Sequence, residues 1–93
     1  MALNPLSSHR TIVAFGMVSF FMADHGKTVR VDVGQELLEK IDGRAPRTQR
    51  GYVERCERHK HFFAQLAARK YREGKYAPEV NVLVVRINED DLI

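Results

Sequence analysis

Residues 48–73, TQRGYVERCERHKHFFAQLAARKYRE, decide how this chain folds. Side chains typical of a protein core recur in this stretch at steps of three and four residues: Tyr52, Cys56, His59, Phe63, Leu66 and Ala67. This spacing places them on one face of a helix with 3.6 residues per turn. The stretch therefore predicts one long amphipathic helix, which Thr48 caps at its beginning and Gly74 ends.

Two strands are predicted ahead of this helix. Residues 11–23 are rich in β-branched and aromatic side chains, with Gly16 interpreted as a bulge, and residues 28–33 alternate valine with polar side chains. The intervening residues 24–27, DHGK, predict a tight turn because glycine accepts a positive φ and aspartate can bond its own backbone. The two strands therefore form a β-hairpin.

The remaining elements complete a β-β-α-α-β order. Residues 34–41 predict a short helix that ends at Gly43, with Asp32 and Gln35 at the spacing of a capping box. Residues 80–87 predict a third strand beside the first, followed by one helical turn near the end of the chain. The prediction is an α+β fold with a small, mainly antiparallel three-stranded sheet and two helices packed on one face.

Length and cysteine content limit the organisation of the protein. The 93 residues suffice for one hydrophobic core, so we expect a flexible N-terminal tail at 1–10 and a single domain at 11–93. A single cysteine excludes an intrachain disulfide and favours a reducing compartment. Residues 12–23 are too few to span a bilayer and lack the features of a signal peptide, so the expected location is cytoplasmic, without a membrane partner.

A family resemblance follows from the order of these motifs. They are VSFFM at 18–22, HGK at 25–27, VRVDV at 29–33, ELL at 36–38, AARKYREG at 67–74 and DDL at 90–92. With them the chain resembles the bacterial domain of unknown function 1488 family over residues 11–92. Members of that family have no assigned activity. The resemblance therefore implies a small bacterial α+β domain and assigns no catalytic or binding residue.

No residue cluster predicts catalysis, a cofactor or a metal. Cys56 and His59 share a helix face, but His61 lies about 200° away from His59, so one ion cannot take all three. Cys56 is also in the middle of a helix on its buried side, where a thiolate is not stabilised. Asp90 and Asp91 point in different directions near the chain end, and no glycine-rich phosphate loop is present. We expect a protein that is not an enzyme and needs no cofactor.

Positive charge is concentrated in residues 44–75, which hold ten Lys or Arg against three acidic residues, a local balance of +7. One interpretation is an interface for nucleic acid or another polyanion, formed by Arg44, Arg47, Arg50, Arg55, Arg58, Phe62, Arg69 and Arg72. The other, which we favour, is a solvated helix back with ion pairs between residues three or four apart.

The first predicted strand is apolar on both sides, which suggests a contact surface. Phe15, Met17 and Phe21 fall on the side away from the helices, where they would form an exposed apolar patch. The leading hypothesis is therefore a small non-enzymatic bacterial domain that acts through protein contacts, as a homodimer or with an unknown protein partner. A nucleic-acid accessory protein using the basic 44–75 region is the alternative.

Overall fold

A six-stranded sheet with three helices forms the computed structural model, which describes residues 3–5, 10–14, 16–43 and 48–92. The strands are β1 (Asn4–Pro5), β2 (Ile12–Ala14), β3 (Met17–Asp24), β4 (Lys27–Gly34), β5 (Ala77–Glu79) and β6 (Val82–Ile87). The helices are α1 (Gln35–Asp42), α2 (Gln49–Arg58) and α3 (Lys60–Arg72), followed after β6 by a 3₁₀ turn at Glu89–Leu92. Within these residues no helix combines the length and the apolar character needed to cross a membrane.

The valine-rich strand β4 is the centre of the sheet. The strand order is β1-β3-β4-β6-β5, and β2 pairs with β3 outside this path. Among the strands of the described residues, only β4 and β6 pair in parallel; the other strand pairs are antiparallel. The predicted α+β class and the mainly antiparallel sheet are therefore confirmed, whereas the predictions of three strands and two helices are wrong.

The predicted first strand is two strands. β2 and β3 are antiparallel neighbours, with Ala14 opposite Met17, so the chain reverses between them. Gly16 has a φ of 75°, a left-handed conformation that favours glycine. Gly16 therefore belongs to a turn and not to a bulge. The apolar residues 12–14 form a separate strand that pairs with β3.

The hairpin of β3 and β4 matches the prediction. Asp24 lies opposite Lys27, and the two residues between them have positive φ, 45° for His25 and 85° for Gly26. Two positive φ values are those of a two-residue turn whose twist fits a hairpin. The turn sets the register that places Val29, Val31 and Val33 in the core.

The predicted third strand at 80–87 corresponds to β6. The residues before it form β5, which pairs with β6 in a hairpin around Asn81 at a φ of 64°. β6 pairs with β4 and not beside β3, contrary to the prediction. The three helices between β4 and β6 return the chain to the starting end of the sheet, so β6 enters in the same direction as β4. This crossover is the reason for the parallel pair.

The predicted long helix is broken at His59, where φ is −102° and ψ is 11°. No proline or glycine lies at the break. α2 packs against β2 and β3, whereas α3 packs against β6, so the two halves follow different parts of a twisted sheet. The two helices therefore contact different strands, and the prediction of one continuous helix is wrong.

Helix ends follow local sequence signals with one exception. The Thr48 hydroxyl accepts a hydrogen bond of 3.2 Å from the Gly51 N–H, and Gly43 and Gly74 adopt positive φ after α1 and α3, all as predicted. The predicted capping box is wrong: Gly34 is the N-cap of α1 and no side chain caps it. The carboxylate of Asp32 is used elsewhere, as described below.

All three helices pack on one face of the sheet and bury the predicted spine. Cys56, Phe63 and Ala67 are fully buried against the valines of β4. Part of the predicted flexible tail also joins this assembly, because Leu3 is buried and β1 pairs with β3 at Ala23 and Met22. Residues 3–5 are therefore attached to the sheet, and residues 6–9 lie outside the described chain, so the boundary at residue 10 stays a prediction.

Candidate functional site

The face of the sheet opposite the helices, here called the helix-free face, is a surface that no described helix covers. It consists of alternate residues of β3, β4 and β6, which strand register brings into adjacent rows: Met17, Ser19, Phe21, Ala23, Thr28, Arg30, Asp32, Val82, Val84 and Arg86. The face is amphipathic, because charged side chains in its middle lie between apolar side chains.

A polar network occupies the centre of the helix-free face. Asp32, which is 3% exposed, accepts a hydrogen bond of 2.7 Å from the Ser19 hydroxyl and two from the Arg30 guanidinium, at 2.8 and 3.1 Å. Arg30 also donates to Glu79 at 3.3 Å. The hydrogen bond to Asp32 raises the pKa of Arg30 despite the opposing effect of burial. Arg30 thus links the carboxylate of Asp32 on β4 to that of Glu79 on β5, and β6 lies between these two strands.

The residues predicted for self-association lie beside this network. Met17 and Phe21 are half-buried on the helix-free face, and Phe15 lies outside the described residues. Phe21 is the register partner of Arg30, so its ring borders the charged centre. The structure therefore brings Met17 and Phe21 to one face as expected, but their exposure is smaller than that of an open apolar patch.

The predicted polyanion-binding residues do not form one continuous stripe. Arg44 and Arg47 lie outside the described residues. Arg50 forms an ion pair with Glu54 at 3.4 Å, and Arg55 is 9% exposed and therefore buried, contrary to its predicted place on the surface. Arg58 is exposed but also interacts with a neighbour. The break at His59 also separates these arginines from those of α3.

Three members of the predicted stripe remain together on α3. Phe62 is 43% exposed, with its ring centre 5.7 Å from that of Phe63. Arg69 and Arg72 are exposed and form no ion pair with any described residue. The charge of Arg69 does lower the pKa of Asp91. This part of α3 is the remaining basic surface of the long helical region.

Cys56 has the properties of a core residue. Its side chain is fully buried, and burial, assisted by the Glu57 carboxylate and opposed by Lys60, raises the pKa of the thiol to about 12. A thiol with so high a pKa is a poor nucleophile. In the described chain no three His, Cys, Asp or Glu side chains are arranged to hold a metal ion.

Sequence reasoning missed a buried ion pair at the end of the sheet. Lys70 is only 7% exposed, and its ammonium donates to Asp91 at 2.8 Å and to the Arg86 carbonyl. Burial acts to raise the pKa of Asp91, but hydrogen bonds from Lys70 and from the Asn88 N–H hold it below its usual value. These residues are 21 positions apart, so no local spacing predicts their contact.

The geometry of sheet and helices has a counterpart among solved structures. It is similar to that of a protein of unknown function from the domain of unknown function 1488 family of Shewanella loihica. The TM-score is 0.76 at 10% sequence identity, over 92% of this chain and 91% of the other. The chain has the fold of that family. This confirms the resemblance at the level of the fold.

Comparisons of sequence add no further assignment. No protein-family model matches the chain, and no curated protein matches it. The structural relative is itself described as a protein of unknown function, so the likeness assigns neither a reaction nor a partner. Function must therefore be inferred from the surfaces of this molecule.

Proposed function

We propose that this chain is a small non-enzymatic bacterial domain that acts through protein contacts and self-associates through its helix-free face. The observation that carries the proposal is the packing of all three helices on one side of the sheet. Met17 and Phe21 lie on the opposite side with part of their apolar surface accessible. A second copy would remove this apolar surface from water.

The charges at the centre of the helix-free face are compatible with burial, whereas Arg86 lies toward its β5 edge. Arg30 is neutralised by Asp32 and Glu79, so covering it leaves no isolated charge in a dry interface. Ser19 completes the hydrogen bonds of Asp32 on the same face. Interfaces are depleted of unpaired charges at their centre, and this network meets that requirement within one chain.

The dimensions of the molecule allow an interface of ordinary size. The two larger dimensions of the molecule are 37 and 29 Å. A sheet face within these dimensions has room for the roughly 800 Å² per partner that a standard interface buries. A two-fold arrangement would place the same patch on both copies, with Phe21 near the axis.

Size-exclusion chromatography with light scattering tests self-association. At micromolar concentration we expect a mass of twice the 10.7 kDa of one chain. Dilution should shift the mass toward one chain if the dimer is weak. A constant mass of one chain from micromolar to millimolar concentration would overturn the proposal.

The exposed cations of α3 favour a second candidate function, binding of nucleic acid or another polyanion. Arg69 and Arg72 have no ion-pair partner among the described residues, and Phe62 offers an exposed ring on the same helix. Such a surface can contact phosphates with its arginines and a base with its ring. It supports only a few phosphate contacts, which is why we rank it second.

A gel-shift titration with single-stranded and double-stranded DNA at low and moderate salt tests the second candidate. The double variant Arg69→Gln, Arg72→Gln should weaken binding and reduce the slope of log affinity against log salt by about 2. Arg50→Gln is the matched control, because Glu54 already neutralises that arginine. Absence of binding by the wild-type protein at low salt would exclude this function.

A further inference from the structure

A groove of about 350 Å³ lies at the β5 edge of the sheet, next to the end of α3. β5 pairs with β6 only as far as Val84, so no described strand covers the following residues of β6. The groove lies where the pairing of β5 with β6 stops. Its walls include Lys70, Lys75, Tyr76, Val84, Arg86 and Asn88.

Most charges around the groove already have a partner. Lys70 is bonded to Asp91 at 2.8 Å, and Lys75 lies 3.4 Å from Glu73. Glu79, on the opposite wall, accepts from Arg30. The two charges within each pair neutralise each other, so none of these groups needs a charged ligand.

Arg86 is the exception. Its side chain is exposed, and no carboxylate of the described chain forms an ion pair with its guanidinium. Asp32 is its register partner across the sheet, but both carboxylate oxygens of Asp32 accept from Arg30. Among the described residues, therefore, no carboxylate compensates the charge of this guanidinium in the groove.

The apolar part of the groove is built from fixed side chains. Tyr76 is 39% exposed, and its ring centre lies 4.8 Å from that of Tyr71, whose hydroxyl is held by buried Asp24. Val84 is 5% exposed and supplies an aliphatic wall. A flat apolar group could contact Tyr76 and Val84 without reorganisation of either.

We propose that this groove binds a small organic anion, a carboxylate or phosphate carried on a flat apolar body. The planar fork of Arg86 would bind the anionic group through two parallel hydrogen bonds. Tyr76 and Val84 would contact the apolar body. Val84 and Arg86 belong to the helix-free face, whereas Met17 and Phe21 lie two strands away on β3.

Amide chemical shifts of the ¹⁵N-labelled protein test the proposal, with benzoate and phenyl phosphate as the two anionic probes and benzyl alcohol as the neutral one. We expect saturable shifts at Tyr76, Ala77, Arg86 and Asn88 with at least one anion, and none that saturate with benzyl alcohol. The anionic probe that binds more tightly shows whether the groove prefers a carboxylate or a phosphate.

Two variants decide whether Arg86 carries the binding. Arg86→Gln should weaken binding of the more tightly bound anion at least ten-fold. Arg10→Gln, at an exposed arginine that does not line the groove, should leave the affinity unchanged. The proposal is overturned if neither anion saturates, if benzyl alcohol binds equally well, or if the two variants behave alike. An unchanged pattern of amide shifts away from the groove verifies that each variant is folded.

Discussion

The hydroxyl of Tyr71 donates a hydrogen bond of 2.6 Å to Oδ2 of Asp24, and this contact joins the end of α3 to the end of β3. Asp24 is 3% exposed, and its other oxygen, Oδ1, has no hydrogen-bond partner in the described chain. Nε2 of the exposed His25 is 3.8 Å from that oxygen. Tyr71 is therefore the principal hydrogen-bond donor to a buried carboxylate.

Removal of the Tyr71 hydroxyl should destabilise the fold. Tyr71→Phe leaves the carboxylate of Asp24 buried without this donor, so we expect the free energy of unfolding to fall by about 1–3 kcal/mol. Tyr76→Phe is the matched control, since no described residue bonds the Tyr76 hydroxyl, and its effect should stay within about 0.5 kcal/mol. Urea denaturation measures both; equal effects would show that the Asp24 contact contributes little.

Alkaline pH should remove part of the same stabilisation. The hydrogen bond to Asp24, together with burial, raises the pKa of Tyr71 to about 12. Its pKa in the unfolded chain is about 10. The contribution is present below pH 10 and is lost as the pH rises toward 12, because the unfolded chain releases the proton first. Urea midpoints measured across this range should fall less steeply for Tyr71→Phe than for the wild type.

Acid should weaken the contact between Lys70 and Asp91. The pKa of Asp91 in the folded chain is below its usual value. The corresponding stabilisation is present above the unfolded pKa, about 3.9, and is lost as the pH falls through the folded value. Asp91→Asn should lower the free energy of unfolding by about 1–3 kcal/mol at neutral pH and reduce its dependence on acid pH.

Asp90→Asn provides the comparison for this acid effect. Asp90 is exposed in the same 3₁₀ turn, and its substitution removes the same charge from the chain. Stability and acid dependence should match the wild type within about 0.5 kcal/mol. If Asp90→Asn and Asp91→Asn unfold alike at every pH, the pair with Lys70 is not stabilising.

The Cys56 thiol should be unreactive in the folded protein. It is fully buried and its pKa is raised to about 12, so few molecules expose a thiolate at neutral pH. Reaction with Ellman's reagent should be slow in buffer and should release one equivalent rapidly in denaturing urea. Fast reaction in buffer would mean that α2 opens readily or that the site is more accessible than its burial indicates.

Features that depend on local geometry could be predicted from the sequence. The turn at His25 and Gly26 needs positive φ, and the amino acids there permit it. Thr48 accepts a hydrogen bond three residues ahead, and the spine with Cys56 and Phe63 follows from helical periodicity. Each of these signals lies within a few residues of the structure it determines.

Features that depend on distant packing could not be predicted in the same way. The break at His59 has no proline or glycine to mark it, and it reflects where α2 and α3 meet the sheet. The parallel pairing of β6 with β4 depends on where the helices return the chain. In contrast, Gly16 and Asn81 are local signals for the two additional turns, because both residue types tolerate positive φ. Hydrophobic periodicity alone does not reveal these turns.

The candidate surfaces show the same division. Alternation along β3 correctly placed Met17 and Phe21 on the side away from the helices. It could not reveal that Ser19, Asp32 and Arg30 form a bonded network there, because β3 and β4 contribute side chains from opposite arms of the hairpin. Arg55 was placed on the surface by helical spacing, but its side chain is buried in the structure.

Sedimentation equilibrium of the wild type, Phe21→Glu and Phe62→Glu tests self-association through the helix-free face most directly. Both variants add one negative charge in place of an aromatic ring, but only Phe21 lies on the proposed interface, whereas Phe62 is on α3. We predict dimers for the wild type and Phe62→Glu, and monomers for Phe21→Glu with unchanged circular dichroism. A monomeric wild type, or a Phe21→Glu protein that remains dimeric, would contradict the account.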